Sequence, residues 1–265
     1  MLKNITLGQY YPGDSLVHRL DPRAKILIAL AYIVLVFFVS NYWGYLFLLA
    51  ALVGTSLLAK VPLRYLLRTL KPLRFILIFT FLLNIFFTRT GTPVYLWDNF
   101  YLFTTEGVSR AVFMALRMSF LVAGSSMLML VTSPITLTDG LERLMSPLRV
   151  IRFPAHELAM MMSIALRFIP TLTDEADKIM KAQMARGADF ESGKLIERAK
   201  AMIPLLVPLF VSSFRRADEL AMAMESRCYH GGEGRTRMRV LKLGKNDFLA
   251  LLAMAALIAV VVLWG

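Results

Sequence analysis

Residues 176–187 read ADKIMKAQMARG, and residues 217–228, forty-one positions further on, read ADELAMAMESRC. Ala176, Asp177, Ala182 and Arg186 recur unchanged as Ala217, Asp218, Ala223 and Arg227, while Leu220 answers Ile179 and Ser226 answers Ala185. Repetition at a fixed spacing marks a duplicated unit, and a duplicated unit generally meets a duplicated or pseudo-symmetric partner. Upstream of the first copy, Leu158, Met162, Ala165, Ile169, Leu172, Ala176 and Ile179 alternate steps of four and three, which predicts a helix from about Ala155 to Gly187. Ile203, Leu206, Phe210, Ser213, Ala217, Leu220 and Met224 predict a second, from about Ala199 to Tyr229. Arg186 and Arg227 each fall seven residues past the last apolar position, so each arginine closes its own seam. Pro154 suits the start of the first helix. Pro170, Pro204 and Pro208 fall inside the two patterns and are hinge candidates, because an internal proline removes a ladder donor and bends a helix.

The rest of the chain is far more apolar. Hydrophobic residues make up 57% of it and the mean hydropathy is +0.61, yet the formal charge is +12. That combination fits an integral membrane protein with basic cytoplasmic parts and argues against a soluble globule. The same rule accounts for the excess cations without nucleic acid. Ile26 to Ala59 reads as two spans joined at Ser40 to Tyr45, and Lys60, Arg64, Arg68, Lys71 and Arg74 form a basic return loop. Phe75 to Thr88 is a short third span, and the segment to Glu106, with Arg89, Gly91, Trp97 and Asp98, belongs outside. Ala111 to Val131 is the fourth, carrying Arg117 and the small residues Gly124, Ser125 and Ser126, which suit close helix packing. A short amphipathic helix follows, opened by Asp139 with Glu142 as a capping box. Beyond a basic connector from Gly231 to Gly244, Phe248 to Trp264 is the last span.

The expected architecture is therefore an all-α polytopic membrane protein with about five transmembrane helices and a cytoplasmic coupling module of long amphipathic helices. Residues 1–25 form a cytoplasmic N-terminal segment, 26–131 the first four spans, 132–246 a cytoplasmic coupling domain with two arginine-tipped helices, and 247–265 the final span.

Enzymatic signatures fail on inspection. Gly187 to Leu195 has one residue too many for a phosphate-binding loop, and Leu195 stands where a hydroxyl must reach magnesium. His156 and Glu157 begin a zinc-protease pattern, but Met160 replaces the second histidine. Cys228 is the one cysteine, so neither an intrachain disulfide nor a CxxC metal site is available. No catalytic or metal-binding residue is assigned.

The arginine tips carry the sharper chemistry. A guanidinium offers a planar fork of donors for carboxylates or carbonyls, and Ala185, Gly187 and Ser226 keep its flanks slim enough to enter a groove. A single such cation would merely complement the helix dipole, with Gly187 as a left-handed cap; its duplication favours docking. Pro12, Gly13 and Asp14, with Leu20, Asp21, Pro22, Arg23 and Lys25, with Thr132, Ser133 and Pro134, with Leu144 to Leu148, with Leu166 to Pro170 and with Ala185 to Phe190, resemble the transmembrane T component of energy-coupling factor (ECF) transporters, the EcfT/CbiQ family.

The resemblance runs nearly end to end. It implies a multi-pass protein of a bacterial or archaeal cell membrane, its N-terminus and coupling domain cytoplasmic. It implies a scaffold joining two ABC-type ATPases, identical or different, to a substrate-capturing membrane S component for vitamin or metal-ion uptake. ATP and magnesium would then sit on the partner ATPases, with no cofactor on this chain. Ala185, Arg186 and Gly187 would dock on one ATPase, and Ser226, Arg227 and Cys228 on the other; the second set keeps only the arginine. Two readings compete. A stand-alone secondary transporter needs polar positions near the midplane, for which Arg117 and Asn84 are the candidates; an intramembrane enzyme needs a convergent acid, base or metal set.

Overall fold

The structure is a computed structural model that describes residues 10–87, 93–97, 100–151, 153–190, 195–231 and 241–264. Arg89, Gly91, Asp98, Gly193 and residues 232–240 of the basic connector lie outside the described residues. The elements run α1 (Pro22–Phe38), α2 (Tyr42–Ala59), α3 (Leu63–Leu70), α4 (Arg74–Phe87), β1 (Pro93–Trp97), β2 (Phe100–Thr104), α5 (Thr105–Val131), α6 (Pro134–Met145), a 3-10 turn (Ser146–Ile151), α7 (Ala155–Ala185), α8 (Leu195–Glu225) and α9 (Lys245–Trp264). Among the described residues the fold is all-α apart from one hairpin.

The chain divides into two compact units, Gly8–Leu141 with Leu241–Gly265 and Met1–Leu7 with Glu142–Val240. In the first, α2, α5 and α9 are each long and apolar enough to cross a membrane; a fourth span is available if α3 and α4, bent by 62°, act as one. The remaining expected span is α1, whose 17 residues reach about 26 Å at the α-helical rise, a little under the hydrocarbon thickness. Its start is set by Asp21, which accepts from the Arg23 amide at 2.9 Å, with Pro22 at the first helical position. α2 ends where Lys60 turns left-handed at φ 55° and Pro62 forbids continuation.

Leu35, Val36, Val39, Tyr45, Leu48, Leu130, Val131 and Val261 form the core where α1, α2, α5 and α9 meet. Gly124 is what lets α5 approach α1: a Cβ there would fall 2.1 Å from Tyr32 Cε1. Lys25, at the end of the N-terminal segment, is buried, and its Nζ donates to the carbonyls of His18 (2.9 Å) and Val131 (3.1 Å). It thereby caps the C-terminus of α5, where a cation complements the dipole. Asp247, in the first turn of α9, accepts from the amides of Asp21 and Gly244, both at 2.7 Å.

Three sequence expectations change here. The basic return loop holds a helix, α3, whose buried Leu66 ties it to the core. The segment read only as an outer loop contains the antiparallel hairpin β1–β2, built from runs rich in aromatic and branched residues. α6 starts at Pro134 rather than Asp139: Ser133 accepts from the Thr136 amide at 3.4 Å and Pro134 is pre-set for the first turn, so the stronger start signal lies upstream and Asp139 falls mid-helix.

Candidate functional site

The two arginine-tipped helices belong to the second unit, and both form as long, continuous elements of 31 residues. Pro170, Pro204 and Pro208 lie inside them, so the carbonyls of Leu166, Lys200 and Pro204 lack their usual donor four residues on. α7 opens at Ala155 after Pro154, and His156 Nδ1 lies 2.9 Å from Glu142 Oε1, which fixes the first turn of α7 to the end of α6.

Both helices stop in the same way. In α7 the amides of Arg186, Gly187 and Ala188 donate to Gln183 O, Met184 O and Gln183 O, each at 3.0 Å. In α8 the amides of Arg227, Cys228 and Tyr229 donate to Met224 O, Glu225 O and Met224 O at 3.1, 2.8 and 3.1 Å. Every donor and acceptor of the second set lies forty-one positions after its counterpart, so the sequence repeat is also a repeat of hydrogen bonds. Each is a Schellman cap, with a left-handed residue directly after the arginine. That residue is Gly187 at φ 90° in α7 and Cys228 at φ 55° in α8. A cysteine can hold this conformation only at some steric cost. Arg186 and Arg227 are both exposed, as are Ala185, Gly187, Ser226 and Cys228.

α7 and α8 pack against one another. Arg216 Nη2 donates to Glu175 Oε2 at 2.7 Å, and the Ser212 hydroxyl donates to Glu175 Oε1. Ser212 first, with Arg216 adding to it, holds the Glu175 carboxyl below its ordinary range against the opposing effect of burial. Met160 and Ile164 from the first half of α7 share a cleft of about 450 Å³ with Leu220, Met224 and Arg227 from the end of α8. The pair is therefore antiparallel: α7 positions rise as the facing α8 positions fall.

Glu175 and Arg216 are themselves forty-one residues apart, so the helices cross where a position meets its own repeat counterpart. Arg186 lies eleven residues past Glu175, and Arg227 eleven past Arg216. At 1.5 Å per residue each tip stands about 16 Å from the crossing, in opposite directions. The tips are consequently about 33 Å apart along the pair, too far for one groove to hold both.

The apolar seams differ from the sequence reading. Leu172, Ala176 and Ile179 are at least half-buried, but Met162 and Ala165 are exposed, and Ala155 and Ala159 are buried in their place. In α8, Leu205, Leu209, Ser212, Arg216, Leu220 and Met224 form the more buried line. Ile203, Leu206 and Phe210, expected at the seam, are exposed with Val207, Val211 and Phe214. A repeat of 3.5 residues drifts about 20° per heptad around a 3.6-residue helix, so a crossing pair cannot keep one straight seam. The exposed six recur at i, i+3, i+4, i+7, i+8 and i+11, one continuous apolar stripe on α8. Glu175, Ser212 and Arg216 were missed in the sequence, although opposite charges at equivalent positions of a repeat were a signal for that contact.

In the first unit, Arg117 Nη2 donates to Val39 O at 3.0 Å, the carbonyl that ends α1, and Asn84 Nδ2 donates to Thr80 O of its own helix at 2.9 Å. Both midplane candidates thus serve backbone carbonyls.

Comparison with known proteins accounts for nearly the whole chain. The CbiQ family, described as Cobalt transport protein, matches residues 13–238. The chain belongs to the CbiQ/EcfT family. Among its relatives, the energy-coupling factor transporter transmembrane protein EcfT of Clostridium kluyveri is 56% identical with both chains covered in full. That of Thermosediminibacter oceani is 54% identical over 95% of this chain and 94% of its own, and that of Bacillus subtilis 48% over 97% and 98%. The family places the apolar helices in a membrane and makes the chain a membrane component of a transporter.

Proposed function

We propose that this family member is the coupling subunit of an ECF-type importer, carrying ATP-driven motion from two cytoplasmic ABC-type ATPases to a substrate-binding S component. The observation that carries the reading is the pair of identically capped arginine tips, equidistant from a shared crossing and facing opposite ways. One tip per ATPase uses both, and a spacing of about 33 Å suits two grooves on a dimer, homo- or heteromeric, far better than one. In this reading Ala185, Arg186 and Gly187 dock on one ATPase and Ser226, Arg227 and Cys228 on the other. ATP and magnesium are bound by those partners, and this chain is not catalytic.

The exposed stripe from Ile203 to Phe214 on α8 supports the second half of the proposal, because an apolar face of that size calls for a cover. The S component is the cover in this reading. Residues 132–246 are the cytoplasmic coupling domain, the N-terminus is on the same side by the positive-inside rule, and Pro170, Pro204 and Pro208 are points of bending, the last two within the span of the stripe itself. Arg117 and Asn84, on which a secondary-transport reading rested, already spend donors on backbone carbonyls. The test is co-purification. Arg186→Glu and Arg227→Glu should each lower ATPase retention at least about tenfold, as expected when a charge-assisted contact is reversed, while the chain stays in the membrane. Full retention of the ATPases by both variants, with uptake intact, refutes docking through the tips.

A further inference from the structure

One surface lies outside this reading. Arg64 and Arg68 of α3, Lys71 at its C-terminal cap and Arg74 at the start of α4 are all exposed. No carboxylate occurs in the sequence from Pro22 to Trp97, and among the described ion pairs none involves these four cations. At 100° per residue Arg64, Arg68 and Lys71 fall within an arc of about 60° on α3. Leu63 and Leu67, both exposed, border that arc, whereas Leu66 points into the core and α3 as a whole packs on α5. The helix thus shows three faces: one packed on protein, one apolar and open, one cationic and open.

Its position gives those faces meaning. The turn after α3 bends by 62° into α4, which has no buried residue and exposes Phe75, Phe79, Leu82 and Phe86. One side of α4 packs along α5; the exposed side, in a membrane component, meets hydrocarbon, and the cations sit at its end, where the hydrocarbon gives way to headgroups. Guanidinium groups hold phosphate oxygens in pairs and an ammonium adds a point charge.

We propose that the α3–α4 elbow is a binding surface for anionic phospholipid headgroups, with Arg64, Arg68, Lys71 and Arg74 as the phosphate contacts. It anchors the bent pair at the membrane surface independently of the ATPase docking proposed above. Each cation near an anionic surface strengthens attraction by about fivefold.

The experiment measures bound lipid on the purified full chain by native mass spectrometry, with phosphatidylglycerol or phosphatidylcholine supplied in neutral detergent. The expected result is a preference for phosphatidylglycerol of at least about tenfold at low salt, falling steeply at about 0.5 M NaCl. Arg64→Gln, Arg68→Gln, Lys71→Gln and Arg74→Gln together should abolish the preference. Replacing Lys178, Lys181, Lys200 and Arg215 by Gln, an equal loss of charge on α7 and α8, should leave it intact. Should the elbow variant fail to fold, Arg68→Gln alone carries the test through a drop of about fivefold. The proposal is overturned if the elbow variants keep the preference or the α7–α8 variant loses as much. It is equally overturned if the elbow variant retains lipid but sheds its protein partners, since the surface then belongs to an acidic protein.

Discussion

The two helix ends share one pattern of cap hydrogen bonds but place different residues at the left-handed position, and that difference predicts effects of opposite sign. Gly187→Ala puts a Cβ at φ 90°, beyond the small left-handed basin open to other residues, and Cys228→Gly removes one at φ 55°. A left-handed L-residue costs about 1–2 kcal/mol, while the extra freedom of an unfolded glycine offsets about 0.5–1 kcal/mol of that. Cys228→Gly should therefore stabilise its cap by about 0.5–1 kcal/mol, and Gly187→Ala should destabilise its own by about 1 kcal/mol or more. Packing scarcely contributes: a Cβ on Gly187 meets nothing within 4 Å, and Cys228 is exposed. The affected bonds are known, from the amides of residues 187 and 188 and of residues 228 and 229. Hydrogen exchange of peptides covering each end reads the opening free energy directly. Exchange at residues 228 and 229 should slow about two- to fivefold in Cys228→Gly, and exchange at 187 and 188 should quicken about fivefold in Gly187→Ala. Changes of the same sign in both variants would refute the assignment of a common cap.

Two further outcomes follow from single contacts. Gly124→Ala should lower thermal stability in detergent through overpacking worth about 1–3 kcal/mol, and Tyr32→Leu in the same chain should restore much of it; an unchanged melting temperature for Gly124→Ala would mean that α1 and α5 do not meet there. Because the Glu175 carboxyl is held below its ordinary range, the folded state binds that proton less readily than the unfolded chain, so the α7–α8 contact contributes fully above about pH 4.3 and is lost as pH falls through the lowered value. Glu175→Gln should remove that acid-side dependence, measured as the pH profile of exchange in the middle of α8, and a Gln variant with the wild-type profile would place the sensitivity elsewhere.

Most of the architecture was legible because its signals are local and strong. Asp21 followed by Pro22 starts α1, Ser40 and Asn41 part α1 from α2, and Arg186 followed by Gly187 ends α7, each through backbone chemistry that needs no distant partner. What escaped was decided by contacts between elements. Lys25 reads as one more interfacial cation until the carbonyls of His18 and Val131 fold around it. Leu66 reads as part of a basic loop until the core recruits it and makes α3 a helix. The start of α6 was misplaced for a different reason: two start signals lay five residues apart, and a proline pre-set for the first turn outweighed a capping box.

The seam of α8 is the most instructive of these errors, because the residues wrongly assigned to it carry functional meaning. Ile203, Leu206 and Phe210 have the spacing of a buried stripe, and spacing alone cannot say what buries them. Helix α7 instead meets the line through Leu205, Ser212 and Arg216, drawn there by a carboxylate at Glu175 that neither drifts with helical phase nor tolerates an apolar neighbour in place of its donors. The polar crossing thus fixes the rotation of α8 about its own axis, and in doing so turns the stripe from Ile203 to Phe214 outward. A purely apolar contact would have let the two helices bury their most hydrophobic faces against each other. A short polar lock at equivalent positions of the repeat therefore holds the tips at equal distances from the crossing and keeps the apolar face of α8 free for a partner.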